Sequence, residues 1–461
     1  MAMSHNTLGP ESVSRARIPS RLLRALLLVL ALGSSARAQL PPAPMADAWR
    51  ASYAALARKL DTGQTVRIGM FGGSVSRGAA TFPNVGIDPY TGIPYDYSPT
   101  GPNPYYDERH SLRAVFQCAL QARVGKRSGQ VRVLNMCLGG TGSYEGTFRY
   151  SLNVAPADLD LLVIEFGIND IFQSRHSWAN PLGDGSIPRM LESIVQQARA
   201  DNPNIAFLFA ISTARDFYLD LGSDLWIQDF HRSRVLHQSY AIQRGIPFVD
   251  ITDEFFGPVP PVTNGPLFNG PLFAQNRVHM TPEGHRVYGE ALARVVGNCL
   301  EGQAFPFPPP VILLPDVLAP FPAHPTVIRA SDIVPPAGFQ IGLNGEPAYA
   351  LPIFNNTQAL YATQPGAELV VPFQGRTVSI WWQSYFGQLT PNGSVALWVD
   401  DNYHGAYQIG GQYFPAAEPL PKVQNLGLDL DPTVTHTLRI GVLGSNSTDL
   451  RLALHAIFVE N

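Results

Sequence analysis

Between Val66 and about Glu301 the chain alternates short apolar, β-branched runs with longer helical patterns, and no other feature constrains the fold as tightly. Parallel strands need a crossover between them, and a helix supplies it, so this alternation predicts a parallel sheet wrapped by helices. The strands read VRIGMF (66–71), VRVLNM (131–136), LDLLVIEF (159–166), IAFLFAI (205–211) and IPFVDI (246–251). Helices are predicted at about 111–124, 187–200 and 225–244. A last one is opened by Thr281-Pro282-Glu283-Gly284 and runs to about 299. Thr before Pro at a first helical turn is a start signal. The stretch Thr81 to Glu108, rich in Pro, Gly and Tyr, has neither period and is predicted to be a long loop. Two readings stay open for it, a wall of a substrate groove or a surface insertion.

At 461 residues the chain exceeds what one core usually serves, so a second domain is expected. The segment AFPFPPPVILLPDVLAPFPAHP marks the boundary, because no helix persists through so much Pro. After it, apolar alternation returns in AELVVPF, TVSIWWQSYF, SVALWVDD, HTLRIGVLG and LRLALHAIFVE, which suggests an antiparallel β-sandwich. The predicted organisation is a signal peptide at 1–38, an α/β domain at 39–302, a Pro-rich linker at 303–325 and a sandwich at 326–461. The signal reading rests on Arg15, Arg17, Arg21 and Arg24 around the run LLRALLLVLAL, followed by small residues at Ala36 and Ala38. It predicts a secreted, extracellular protein. The sequons at Asn355, Asn392 and Asn446 would then be surface glycosylation sites. No later run of 18 apolar residues exists, so no membrane span is expected in the mature protein. A formal net charge of -4, with no basic run after residue 24, excludes a nucleic-acid partner.

Four short motifs carry chemistry. In FGGSVSRG, Ser74 directly follows the first strand, where Gly72 and Gly73 let the chain turn and present a hydroxyl above the sheet. NMCLGGTGS places the Gly140 backbone N–H after the second strand, and EFGIND places Asn169 after the third. The carboxyl edge of an open parallel sheet is where ligands bind. A backbone N–H and an amide aimed at one point there make an oxyanion hole, whose loss typically costs ~10²–10³ in rate. In NRVHMTPEGH, His279 precedes the last helix, and an imidazole titrates near enough to neutrality to take and return a proton. His285, inside that helix, reads as a packing or capping residue, and His231 and His237 as surface or core.

These motifs, in this order and spacing, resemble those of the SGNH (GDSL-like) hydrolases over roughly residues 66–300. The resemblance implies a flavodoxin-like, five-stranded parallel sheet, with Ser74 as nucleophile, His279 as general base, and Gly140 and Asn169 completing an oxyanion hole with the Ser74 N–H. Asp170 would be structural, fixing the loop that carries Asn169. No metal or organic cofactor is implied. Two departures stand out. The usual GDS is GGS here, and the Asp expected three residues before the histidine is Asn276. In a serine-protease triad the same Asp-to-Asn change lowers turnover about 10⁴-fold. Three readings therefore remain: a Ser74–His279 dyad oriented by Asn276 or a carbonyl, an acid from elsewhere such as Asp250 or Asp253, or a domain that binds without cutting.

Secreted members of such a family often remove acyl groups from polysaccharides. The substrate expected is an acylated small molecule or polysaccharide, chiefly an O-acetyl ester on carbohydrate. The alternative is a weak or inactive domain acting as a carbohydrate-binding protein. The C-terminal module resembles galactose-binding-like modules, and Trp381, Trp382 and Trp398 are either its core or a sugar-stacking surface. Of the three cysteines, Cys118 and Cys299 are predicted to bridge, since the first and last helices of a 2-1-3-4-5 sheet share a face.

Overall fold

The computed structural model describes residues 46–77, 111–154, 158–170, 186–212, 225–256, 279–315, 325–343, 358–362, 364–384, 394–408, 420–426, 429–443 and 453–460. The signal segment, the stretch 81–108, the three sequons, Asn276 and the His231 side chain lie outside them.

The α/β domain is built from α1 (Ala46–Asp61), β1 (Thr65–Gly72), a single turn α2 (Ser74–Arg77), α3 (Leu112–Arg123), β2 (Gln130–Asn135) and α4 (Ser143–Arg149). It continues through β3 (Leu161–Glu165), α5 (Ser186–Asp201), β4 (Ala206–Ile211), α6 (Leu225–Gln243), β5 (Phe248–Asp250), α7 (Ile251–Phe256) and α8 (Pro282–Leu300). The strands form one parallel sheet in the order β2-β1-β3-β4-β5. Residues of β3 and β4 are buried throughout, as expected for central strands covered on both faces. One face packs on α1, α3 and α8 through Leu56, Phe116 and Leu292, and the other on α5 and α6 through Ile194 and Tyr240. Thr281 caps α8, accepting the Gly284 N–H at 3.2 Å, with Pro282 in its first turn. Sequence patterns anticipated the five strands and four of these helices. They missed α1, the single turn α2, α4 and α7.

Residues 301–315 do not run free. Phe305 and Phe307 pack against the α/β core, and Gln243 of α6 holds the strap, donating to Ile312 O at 2.8 Å and accepting from Leu314 N at 3.0 Å.

The C-terminal region is a sandwich of antiparallel sheets. The strands are β6 (Thr326–Arg329), β7 (Phe339–Leu343), β8 (Gln358–Ala362), β9 (Glu368–Gln374), β10 (Thr377–Ser384), β11 (Ser394–Val399), β12 (Asn402–Gln408), β13 (Leu420–Asn425), β14 (Thr435–Leu443) and β15 (Ala453–Glu460). One sheet runs β13-β10-β15-β8-β7, with β6 also on β15, and the other runs β12-β11-β14-β9. β9 alternates exposed and buried residues without exception, and Leu369, Val371 and Phe373 meet Val378, Ile380 and Trp382 across the core. Trp381 and Trp382 are both buried, so neither offers a face to a sugar; Trp398 is half-buried beneath the Arg439 guanidinium, 4.1 Å from its ring centre.

The predicted Cys118–Cys299 bridge is not formed, and Cys118, Cys137 and Cys299 are free thiols. Helices α3 and α8 do pack together, as the argument required. The core face of α3, however, is set by Leu112, Phe116 and Leu120, and position 118 lies about 200° around the helix from 116. Cys118 therefore faces solvent, whereas Cys299 is turned into the core. Among the described residues no helix is long and apolar enough to cross a membrane.

Candidate active site

β1 ends at Gly72, and the chain turns through Gly73 into α2, whose first residue is Ser74. The turn is tight because β3 lies directly alongside: the Gly73 N–H donates to Glu165 O at 3.1 Å. A Cβ at position 73 would collide with the Asn169 amide nitrogen. That collision is a physical reason for GGS where an Asp is usual, since the space of the missing side chain is filled by the Asn169 amide.

Asn169 sits on the turn after β3, and its Nδ2 donates to Thr141 O at 2.9 Å, spending one of its two N–H groups. Thr141 belongs to the turn that carries Gly140, a residue at φ 72° whose left-handed backbone favours glycine. The same turn is tied to the Ser74 turn, because Leu138 N donates to Gly72 O at 2.9 Å. Three sheet-edge turns that are far apart in sequence are thus locked into one cluster.

His279 arrives from the segment before α8, and its Nε2 lies 2.8 Å from Ser74 Oγ, at hydrogen-bonding distance across 205 residues of chain. Burial lowers the imidazole pKa to about 4, because a desolvated ring disfavours its charged form. The ring is therefore neutral near pH 7 and able to accept a proton. Of the two alternative acids, Asp250 is engaged elsewhere, with Arg234 Nε 2.6 Å from its Oδ2 and Thr252 N donating to its Oδ1 at 2.9 Å, and the Asp253 side chain lies outside the described residues.

Beneath the cluster lies a set of buried polar groups, among them Asp170, which the resemblance implied would fix the Asn169 loop, and His237, read from the sequence as surface or core. Asp170 accepts the Ser143 N–H at 2.6 Å through Oδ1, while Oδ2 lies 2.7 Å from His237 Nε2, and both side chains are inaccessible to solvent. One turn earlier on α6, Ser233 donates to Gly167 O at 2.7 Å. Helix α6 thus grips the Asn169 turn twice. Glu165 accepts from Ser76 Oγ at 2.7 Å and from Ser212, and burial raises its pKa. Arg149 reaches Met136 O and Gly72 O, each at 3.3 Å, with its guanidinium 4.8 Å from the Phe71 ring centre; burial lowers its pKa to about 10. Of these, Asp170 is named through the resemblance; Glu165, Arg149 and Ser233 are not. His285 is buried within α8, and its N–H bonds Thr281 O at 2.9 Å.

A model of the GDSL-like Lipase/Acylhydrolase family matches residues 99–287, spanning Gly140, Asn169 and His279, with Ser74 ahead of the matched segment. No curated protein matches the chain. Among solved structures, the chain is similar to a two-domain esterase active on acetylated mannans, at 13% identity and a TM-score of 0.60, over 89% of this chain and 95% of that one. The same esterase co-crystallised with mannopentaose aligns at 12% identity and a TM-score of 0.58, over 89% and 94%. An acetylxylan esterase from Geobacillus stearothermophilus is 17% identical, with a TM-score of 0.37 over 51% of this chain and 96% of that one. The first of these shares the fold of both domains. The family match over residues 99–287 and the sheet order agree: the α/β domain is similar to the GDSL-like lipase/acylhydrolases, and the match supports carboxylic ester hydrolase activity.

Proposed function

We propose that the chain is a secreted serine esterase that removes acyl groups, chiefly O-acetyl, from carbohydrate. The observation that carries this reading is the 2.8 Å approach of a neutral His279 Nε2 to Ser74 Oγ. In the proposed reaction Ser74 Oγ attacks the acyl carbonyl while His279 takes its proton. The developing oxyanion is held by the Ser74 and Gly140 N–H groups and by the second N–H of Asn169. His279 then returns the proton to the sugar oxygen as the C–O bond breaks, and a water activated by the same ring releases the acyl group from Ser74. Asn276 orients the imidazole without supplying charge. Its turnover is accordingly expected to fall below that of an enzyme with Asp at this position.

Carbohydrate is favoured by fold-level similarity to an esterase described as active on acetylated mannans, over both domains. Secretion is favoured by the Arg-flanked apolar N-terminal segment. The test is acetate release from acetylated mannan and xylan, with p-nitrophenyl acetate as a small reference ester. Ser74→Ala should lower the rate at least ~10³-fold while leaving Tm unchanged. Retained hydrolysis by that variant would remove Ser74 as the nucleophile.

A further inference from the structure

We propose, on the esterase reading above, that the sandwich is a working part of the active site, with Trp381 and Phe458 acting as positioning residues for the Gly140 turn. An outer face of a sandwich normally alternates to polar side chains. Here the outer face of the larger sheet carries Trp381, Ala456 and Phe458, all buried at 1% exposure or less. A bulge builds this face: β15 shifts register against β10 between Trp381 and Trp382, so that Leu454 points into the core while Ala456 points out.

What covers that face is the oxyanion side of the α/β domain. Leu138, Tyr144, Phe148 and Met190 form one apolar cluster with Trp381, Ala456 and Phe458. The Phe148 and Phe458 rings lie 5.1 Å apart, and Tyr144 lies 5.2 Å from Phe148 in an edge-on arrangement. Leu138 is itself part of the Gly140 turn: its carbonyl accepts Thr141 Oγ1 at 2.8 Å, and its N–H holds Gly72 O.

Helix α4 has reason to need this support. Its α-helical part is seven residues long and continues as a π-helical turn over Tyr150–Val154, together still too short to hold itself without tertiary contacts. Its inner side is fixed by Asp170 at Ser143 N and by Gln197, which donates to Thr147 O at 3.1 Å. Among the described residues, its outer side, Tyr144 and Phe148, packs in the cluster with Trp381, Ala456 and Phe458 of the sandwich. Remove Phe458, and α4 loses its outer wall at the point where it carries the turn bearing Gly140 and Thr141. The strap of residues 305–314, docked on α6, agrees with a sandwich that is fixed rather than tethered.

The experiment uses the full chain carrying Phe458→Ala, Phe458→Leu or Trp381→Phe, with Tm measured for each. For p-nitrophenyl acetate, Phe458→Ala should lower kcat about tenfold or more with KM within about twofold, since a misplacement near 1 Å costs up to ~10² in rate. Phe458→Leu should recover most of that loss. Hydrogen exchange should accelerate in residues 138–149 and stay unchanged in β3 and β4. An unchanged kcat and unchanged exchange in folded Phe458→Ala would overturn the proposal. So would a defect confined to KM for acetylated glycan, which would make the sandwich a substrate-holding module. If Phe458→Ala fails to fold, Phe458→Leu and Trp381→Phe decide on the same two readouts. A wild type inactive on every ester, or an active Ser74→Ala, defeats the esterase reading instead, and exchange in residues 138–149 still tests the positioning role.

Discussion

The two domains bury very different things. Under the α/β sheet edge lie Glu165, Asp170, His237 and Arg149, all essentially inaccessible to water, whereas the described sandwich interior is aliphatic and aromatic, with Ser379, His436 and His455 its buried polar side chains. Burying a charge is expensive unless it is hydrogen-bonded, so the α/β domain carries a cost that the sandwich avoids. Each of those groups ties together turns that bear Ser74, Gly140 or Asn169. The difference teaches that polar burial here follows the demand for a fixed site, and apolar burial the demand for a stable fold.

That contrast can be broken by paired substitutions. Asp170→Ala strips the acceptor from Ser143 N and leaves His237 Nε2 without its carboxylate; kcat should fall about 10²-fold, beyond what the accompanying loss of stability explains. Ile440→Ala, in the sandwich core, should cost about 2–5 kcal/mol and leave kcat unchanged below its lowered Tm. Steady-state kinetics and thermal unfolding on both variants check this. Equal effects on rate and stability in the two variants would erase the distinction.

A pH series sharpens it further. With the His279 pKa lowered to about 4, the acid limb of kcat/KM should lie well below the ordinary histidine value of roughly 6.5. The sign for stability follows: the unfolded chain protonates this residue first, so its contribution falls as pH drops from about 6.5 towards about 4. Asn276→Asp should raise kcat and move the limb upward, because a carboxylate stabilises the imidazolium. A fall in kcat would indicate an acid already serving His279.

The smallest effect concerns the sulfurs. Cys118→Ser should change stability by less than about 0.5 kcal/mol, with Tm indifferent to reductant, because Cys118 is an exposed free thiol. A reductant-dependent Tm, lost in the variant, would restore the bridge.

Local pattern determined the strands and four helices, because a buried parallel strand must be apolar throughout and each crossover needs a helix of readable period; the 2-1-3-4-5 order came with the resemblance to the GDSL-like hydrolases. It also marked Ser74, Gly140, Asn169 and His279, since each follows a strand or precedes a capped helix whose end the sequence announces. Short helices such as α4 escaped, their stability lying in contacts rather than in period. Cys118 was misjudged because sharing a sheet face does not decide which way a side chain points around its helix. Only the tertiary structure decided that His237 serves Asp170, that Asn169 fills the space at Gly73, and that a tryptophan over 230 residues beyond the Gly140 turn rests against it. Such pairings depend on how whole elements pack, and no periodicity within one segment records its partner in another.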